Sequence, residues 1–275
     1  ASHAYSSRLM ENLPFAFVLA GFVVGLIVGL TGVGGGSLMT PLLIFGFGIK
    51  PALAVDTDLL FAAATKFGGL LNFARQRIIP WRVVFSLSLG SVPAAAVTLA
   101  VLHHFGTSNP KVQHAITFTL GIALLLTAAA TLYKAIRGPL RRMDSEEDID
   151  PSPADITTHP WMPIVFGAVI GVLVTLTSVG AGAIGVTVLM LLYPQLSLPR
   201  IVAADIAYAV PLTLVAGLGH ASLGTVDWRL LGMLLIGSLP GIWLGSHLVT
   251  KVPERFIRTA LSVLLAWAGT KLILI

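Results

Sequence analysis

Two stretches of this chain are apolar on every face, and that restricts the possible folds more than any other feature. AFVLAGFVVGLIVGL (16–30) and TFTLGIALLLTAAATLY (117–133) offer no polar stripe that could face water. A helix of this kind is surrounded by protein or sits in lipid, and runs of about this length suit the hydrocarbon thickness of a bilayer. Of the 275 residues, 56% are hydrophobic and only 11% are charged, against roughly a quarter charged in an ordinary soluble domain. So few charges cannot coat a soluble protein of this size, and most of the surface has to face lipid. There the backbone must satisfy its own hydrogen bonds, which leaves α-helices or a closed barrel. Barrel strands alternate polar and apolar side chains over about ten residues, and these segments do not. The expected fold is an all-α polytopic integral membrane protein.

The same composition excludes several kinds of chemistry. The chain has no cysteine, so disulfides, thiolate catalysis and cysteine-ligated zinc are out. Its formal charge of +5 could suggest nucleic acid, but the basic residues stand singly at the ends of apolar runs. That is the positive-inside pattern of a membrane protein, and no nucleic-acid partner is expected. No H-E-x-x-H pair, histidine ligand pair or G-x-S-x-G nucleophile occurs, so neither an enzyme nor a metal or other cofactor is expected. Arg8 before an apolar run resembles a signal peptide. No A-x-A-like cleavage site follows it, and the run has a counterpart later in the chain, so it is read as a span.

Residues 137–160, RGPLRRMDSEEDIDPSPADITTHP, are the one clear break. A basic cluster, an acidic cluster and prolines make this a solvated cytoplasmic linker between a first membrane repeat, 1–136, and a second, 161–275. The two flanking regions match. GFVVGLIVGLTGVGGG (21–36) aligns with GAVIGVLVTLTSVGAG (167–182) at an offset of 146, as in Gly21 and Gly167 or Thr31 and Thr177. At an offset of 147, Asp58 matches Asp205 and Trp81-Arg82 matches Trp228-Arg229. Gly90-Ser91-Val92-Pro93 likewise matches Gly237-Ser238-Leu239-Pro240. Internal duplication of this sort is a recurring plan of secondary transporters.

Each half opens with a long apolar segment interrupted by glycines, 14–49 and 161–193, followed by three ordinary spans. These are 52–75, 81–104 and 111–136 in the first half, and 198–220, 228–250 and 254–275 in the second. The long segments exceed the roughly 20 residues of a straight span, so each is a broken helix crossing once or a hairpin crossing twice. Loop charges fit eight or ten crossings. Eight is preferred, because 37–49 is short and carries Pro41, Gly46 and Gly48. Trp81, Trp161 and Trp228 read as interfacial anchors.

Three features could carry chemistry. The first is Thr31-Gly32-Val33-Gly34-Gly35-Gly36, with its weaker copy Thr177-Ser178-Val179-Gly180-Ala181-Gly182. Glycine runs disfavour continuous helix, and a short helix starting just after one would aim free N–H groups and a positive dipole at an anion. Close helix packing is the competing use of small residues. A dinucleotide-binding reading of G-x-G-G-G fails, because no strand precedes it and no βαβ unit surrounds it. The candidate substrate-binding residues are therefore Thr31, Gly34, Gly35, Gly36, Thr177, Gly180, Ala181 and Gly182.

The second feature is Lys66, near the middle of a span and the only Lys or Arg expected so deep. A central lysine costs at least about 2.5–3.5 kcal/mol on insertion scales, so it should face protein or water and attract the anion. Asp58 lies eight residues away, about 12 Å of helical rise and too far to pair directly. Asp205, from the other half, is a possible partner; both carboxylates are candidates for proton coupling or gating, unless they only lock the halves together. Asp56 is expected to be solvated or to cap the helix. The third feature is His220, a candidate proton relay or an interfacial residue.

GLTGVGGGSLMTPLL (29–43), DTDLLFAAATKFGG (56–69), ADIAYAVPLTLVAGLGH (204–220), GTVDWRLL (224–231) and the two Gly-Ser-x-Pro sites resemble the TauE/SafE family of sulfite exporters, also called the toluene-sulfonate uptake permease family. The resemblance implies an inner-membrane carrier of seven to nine helices with duplicated halves. It would move sulfite, organosulfonates or related small sulfur-containing anions on the proton motive force. The second loop departs from the family in its Gly-Ala-Gly, and Asp56-Thr57-Asp58 is more acidic than the Thr-Ser pair common at that place. The expected function is a proton-coupled anion carrier working by alternating access in a bacterial inner membrane, with export favoured through the family name. A passive anion channel and a non-transporting scaffold are the alternatives. The expected partners are a small anionic substrate, protons and the lipid bilayer, and an oligomer stays open.

Overall fold

The computed structural model describes residues 2–31, 36–106, 109–137, 161–222, 226–248 and 254–274. Among them the regular structure is entirely helical. Helix α1 runs Ser2–Thr31, and the short α2, Gly36–Pro41, continues into a π-helical turn at Leu42–Gly46. Helices α3 (Pro51–Arg75), α4 (Trp81–Phe105) and α5 (Pro110–Arg137) complete the first half. The second half holds α6 (Met162–Thr177), α7 (Ala183–Leu192), α8 (Leu198–Ser222), α9 (Trp228–Leu248) and α10 (Glu254–Ile273). The linker 138–160 and the glycines 32–35 lie outside the described residues.

Punctuation residues set these boundaries. Proline opens α3 and α5, where a missing N–H costs nothing. Gly106, at φ 75°, stops α4 in a conformation that favours glycine. Four helices, Trp81–Phe105, Pro110–Ile136, Pro199–Ser222 and Trp228–Gly245, are long and apolar enough to cross a membrane. Their outer faces carry large exposed side chains, among them Phe85, Val97, Ile236 and Trp243, the surface a lipid-embedded bundle presents. Trp81, Trp161 and Trp228 are each more than half exposed at helix starts.

Glycine sets how the helices approach. A Cβ on Gly237 would lie 1.9 Å from the Val18 carbonyl oxygen, and one on Gly241 would lie 2.3 Å from that of Phe22. These pairs advance together along the chain, so α1 and α9 run parallel with backbones nearly touching. Helices α4 and α6 meet in the same way, through Gly90 against Ile164 and Gly171 against Ser91. By contrast α3 and α8 run antiparallel, since Leu60 meets Gly217 while Gly69 meets Ile206. So do α5 and α10, where Gly121 meets Ile273 and Gly269 meets Leu125.

These directions correct one expectation. The preferred eight-span count has 161–193 crossing once. Yet Thr175, in the last turn of α6, meets His220, in the last turn of α8. Both helices finish on the same side of the bundle, so the chain must return between them. Helix α7 has ten residues, about 15 Å of rise, half the roughly 30 Å hydrocarbon thickness. A turn at residues 193–196 then leads into α8. The segment is a hairpin that doubles back inside the bundle.

Candidate functional site

The turn of that hairpin is buried and non-helical. Thr177 accepts a hydrogen bond from the Val179 N–H and donates to the Leu173 carbonyl, which ends α6 from its own side chain. Ser178 then takes φ 57°, Gly180 φ 130° and Gly182 φ 122°. The last two are tolerated because glycine has no Cβ. Val179 is wholly buried and Ser178 nearly so. The Gly185 N–H bonds to the Gly180 carbonyl instead of that of Ala181, while the Gly182 carbonyl accepts from the Val186 N–H.

Two lysines from the first half reach those carbonyls. Lys66 of α3, 7% exposed, donates from Nζ to the Ala181 carbonyl oxygen at 3.1 Å. Lys134 of α5 places its Nζ 3.4 Å from the neighbouring Gly182 oxygen. Asp205 of α8 faces the Gly182 amide, with the Tyr208 hydroxyl beside it. Its carboxylate sits so close over Gly185 that a Cβ there would fall 2.0 Å from Oδ1. Asp205 lies within electrostatic reach of both lysines, and Arg258 of α10 lies within reach of Lys134.

A second carboxylate flanks the turn. Asp58 of α3 is fully buried, accepts a hydrogen bond from the Thr40 hydroxyl and faces Ser178. Lys66 lies within reach of both Asp58 and Asp205. The Ser178 hydroxyl thus lies beside the Asp58 carboxylate and the Tyr208 hydroxyl beside that of Asp205, one hydroxyl to each acid. Two buried carboxylates and two hydroxyls, together with the lysines, give the turn a polar lining within an apolar bundle.

Two residues before Asp58 on α3, Asp56 forms a separate cluster with His220. The histidine Nδ1 lies 2.7 Å from Asp56 Oδ1, and its Nε2 lies 3.0 Å from the Thr175 carbonyl oxygen. Both side chains are 1% exposed.

Of the residues singled out from the sequence, Lys66, Asp58, Asp205, Thr177, Gly180, Ala181 and Gly182 meet around this turn. His220 stands apart from them. Thr31 ends α1 and Gly36 begins α2, while Gly34 and Gly35 lie outside the described residues. Two expectations change. Asp56 neither caps nor meets solvent; it is buried against His220. Lys66 is not alone either, because Lys134 reaches the turn as well. Lying three residues from the end of α5, Lys134 resembles an interfacial lysine in sequence, and only its long aliphatic stem lets the ammonium point inward. No group of three or more potential metal ligands occurs among the described residues.

Comparison with known proteins places the chain among membrane transporters. The family model described as Sulfite exporter TauE/SafE matches residues 17–272. The probable membrane transporter protein YjnA of Bacillus subtilis (strain 168) is 34% identical over 95% of this chain and 100% of its own length. A second protein of that organism, probable membrane transporter protein YunE, is 25% identical over 93% of this chain and 96% of its own. The probable membrane transporter protein MJ0441 of Methanocaldococcus jannaschii is 26% identical, covering 94% of both chains. No solved structure matches.

Proposed function

The chain belongs to the sulfite exporter TauE/SafE family and is a membrane transporter, and from that premise we propose that it carries small sulfur-containing anions, sulfite or organosulfonates, by alternating access. One observation carries the reading: two ammonium groups from different helices, Lys66 and Lys134, converge on adjacent carbonyls of a buried, non-helical turn. An anion entering there exchanges its hydration shell for two ammoniums and nearby hydroxyls. The carbonyls that now accept from the lysines are weak partners that an anion displaces, since charge-assisted bonds to an anion are roughly twice as strong as neutral ones.

Alternating access then uses two repeats, 1–136 and 161–275, joined by the 137–160 linker on the cytoplasmic side of a bacterial inner membrane. Support for the repeats comes from packing. Helices at matching positions in the two halves, α3 with α8 and α5 with α10, run antiparallel, while α1–α9 and α4–α6 contacts repeat with equivalent glycines. Repeats related by an axis in the membrane plane would pack in this way. The turn lies between the halves, so rocking one against the other opens it to either side. Asp58, Asp205 and His220 serve proton coupling or gating. The family name favours export.

Counterflow in proteoliposomes tests the carrier. Unlabelled sulfite or taurine trapped inside is expected to accelerate entry of the labelled anion several-fold over empty vesicles. Entry that follows only the anion's electrochemical gradient, with no acceleration, refutes a carrier and indicates a pore.

A further inference from the structure

The Asp56–His220 cluster permits an inventory of its protons. A backbone carbonyl only accepts, so the 3.0 Å contact with Thr175 requires a proton on His220 Nε2. The 2.7 Å contact between Nδ1 and Asp56 Oδ1 requires a second one. It sits on the imidazole, giving imidazolium and carboxylate, or on the carboxyl group beside a neutral ring. Both descriptions have the same composition and the same net charge of zero. If this second proton leaves, a carboxylate oxygen faces a nitrogen lone pair at hydrogen-bond distance with nothing between them. The contact then turns repulsive, and the two side chains must part.

What they hold together matters for the cycle. Asp56 lies near the start of α3 and His220 near the end of α8, and Thr175 belongs to the last turn of α6. Helix α3 carries Lys66 and Asp58, helix α8 carries Asp205, and α6 leads directly into the turn that the lysines grip. The proton thus joins three of the helices that build the anion site. The other ionisable side chains described at this end of the bundle include the buried Asp58 on α3, the exposed Lys50 before it, the exposed His103 and His104 on α4, the exposed Lys111 and His114 on α5, the exposed Asp227 and Arg229 at α9 and the exposed Lys271 on α10; α6 contributes none.

We propose that Asp56 and His220 together bind the coupled proton of the transport cycle, that the loaded carrier exchanges anion with this proton in place and the pair closed, and that the proton's loss parts α3 from α8 and α6 only in the unloaded carrier, so that Asp58 and Asp205 act as gates at the anion site rather than as the proton carriers. This rests on the carrier reading above and narrows it to one pair of residues. Asp56→Asn supplies the test, because the asparagine amide can donate to Nδ1 while Nε2–H keeps its bond to Thr175. Every contact of the latched state survives, with no proton to release.

The experiment uses proteoliposomes with a trapped pH dye and labelled sulfite, reading anion counterflow and anion-dependent proton flux side by side. In Asp56→Asn, counterflow is expected to stay within about two-fold of the native rate, while proton flux per anion falls at least ten-fold. His220→Gln provides an independent second variant with the same expected split. An unchanged proton-to-anion ratio in either variant that retains counterflow overturns the proposal. Equal loss of counterflow and proton flux in both variants, with native folding, makes the pair part of the anion pathway and overturns it as well. Absence of counterflow in the native protein defeats the carrier reading instead, and is told apart because it appears before any substitution is made.

Discussion

Lys66→Ala is expected to remove anion transport almost completely, by at least a hundred-fold, while the protein still inserts and folds. The side chain supplies the ammonium held at the Ala181 carbonyl and is the cation within reach of both Asp58 and Asp205. Without it the two buried carboxylates face the turn with only Lys134 to oppose them, and an incoming anion meets net repulsion. A hundred-fold loss corresponds to about 2.8 kcal/mol, from 1.4 kcal/mol per factor of ten. Removing one member of a buried charge group can cost about 3–5 kcal/mol in stability, so Lys66→Met, which keeps the stem, is the companion variant. Labelled-sulfite uptake, read beside size-exclusion profiles in detergent, checks both. Native-like uptake by either well-folded variant contradicts an anion site at the turn.

Asp205→Asn is expected to act in the opposite direction on binding. Its carboxylate faces the Gly182 amide at the start of α7 and lies within reach of Lys66 and Lys134. There it is a resident anion at a helix N-terminus, where negative charge is favoured. An incoming anion competes with it for the same cations. Neutralising it leaves those cations short of one counter-charge, so sulfite affinity should rise about ten-fold or more, a gain of about 1.4 kcal/mol, while turnover falls because release slows. Equilibrium binding measured beside maximal uptake velocity separates these effects. Weaker binding in Asp205→Asn would mean that the carboxylate organises the site rather than occupying it.

Much of the helical layout was legible in the sequence, for a simple reason. Apolar runs long enough to cross lipid announce themselves, and the start of α4 at Trp81 and of α9 at Trp228 coincide with the ends of short polar connections. The glycine segment 177–182 could be singled out because two glycines within three residues of so apolar a run disfavour helix. Chain direction was not legible. Whether α7 continues α6 or returns depends on which helix each one packs beside, and hydropathy carries no trace of that. The Asp56–His220 pair was hidden for a related reason. Its members stand near opposite ends of α3 and α8, and only the antiparallel packing of those two helices brings them together. Near a helix end each one alone reads as interfacial. Lys134 was missed because a lysine within a turn of a helix end looks the same in sequence whether it points outward or in.

The most direct test of a small anion held between Lys66 and Lys134 is the thermal stability of the purified protein in detergent, native and Lys66→Ala, across sulfite, sulfate, thiosulfate, sulfoacetate and taurine. A ligand at about a hundred times its Kd adds about 2.7 kcal/mol to the folded state. At least one of these anions is expected to raise the Tm of the native protein by several degrees at constant ionic strength, and to leave the Lys66→Ala protein unmoved. A native protein whose Tm responds to none of them, or a variant stabilised as strongly as the native chain, contradicts the account.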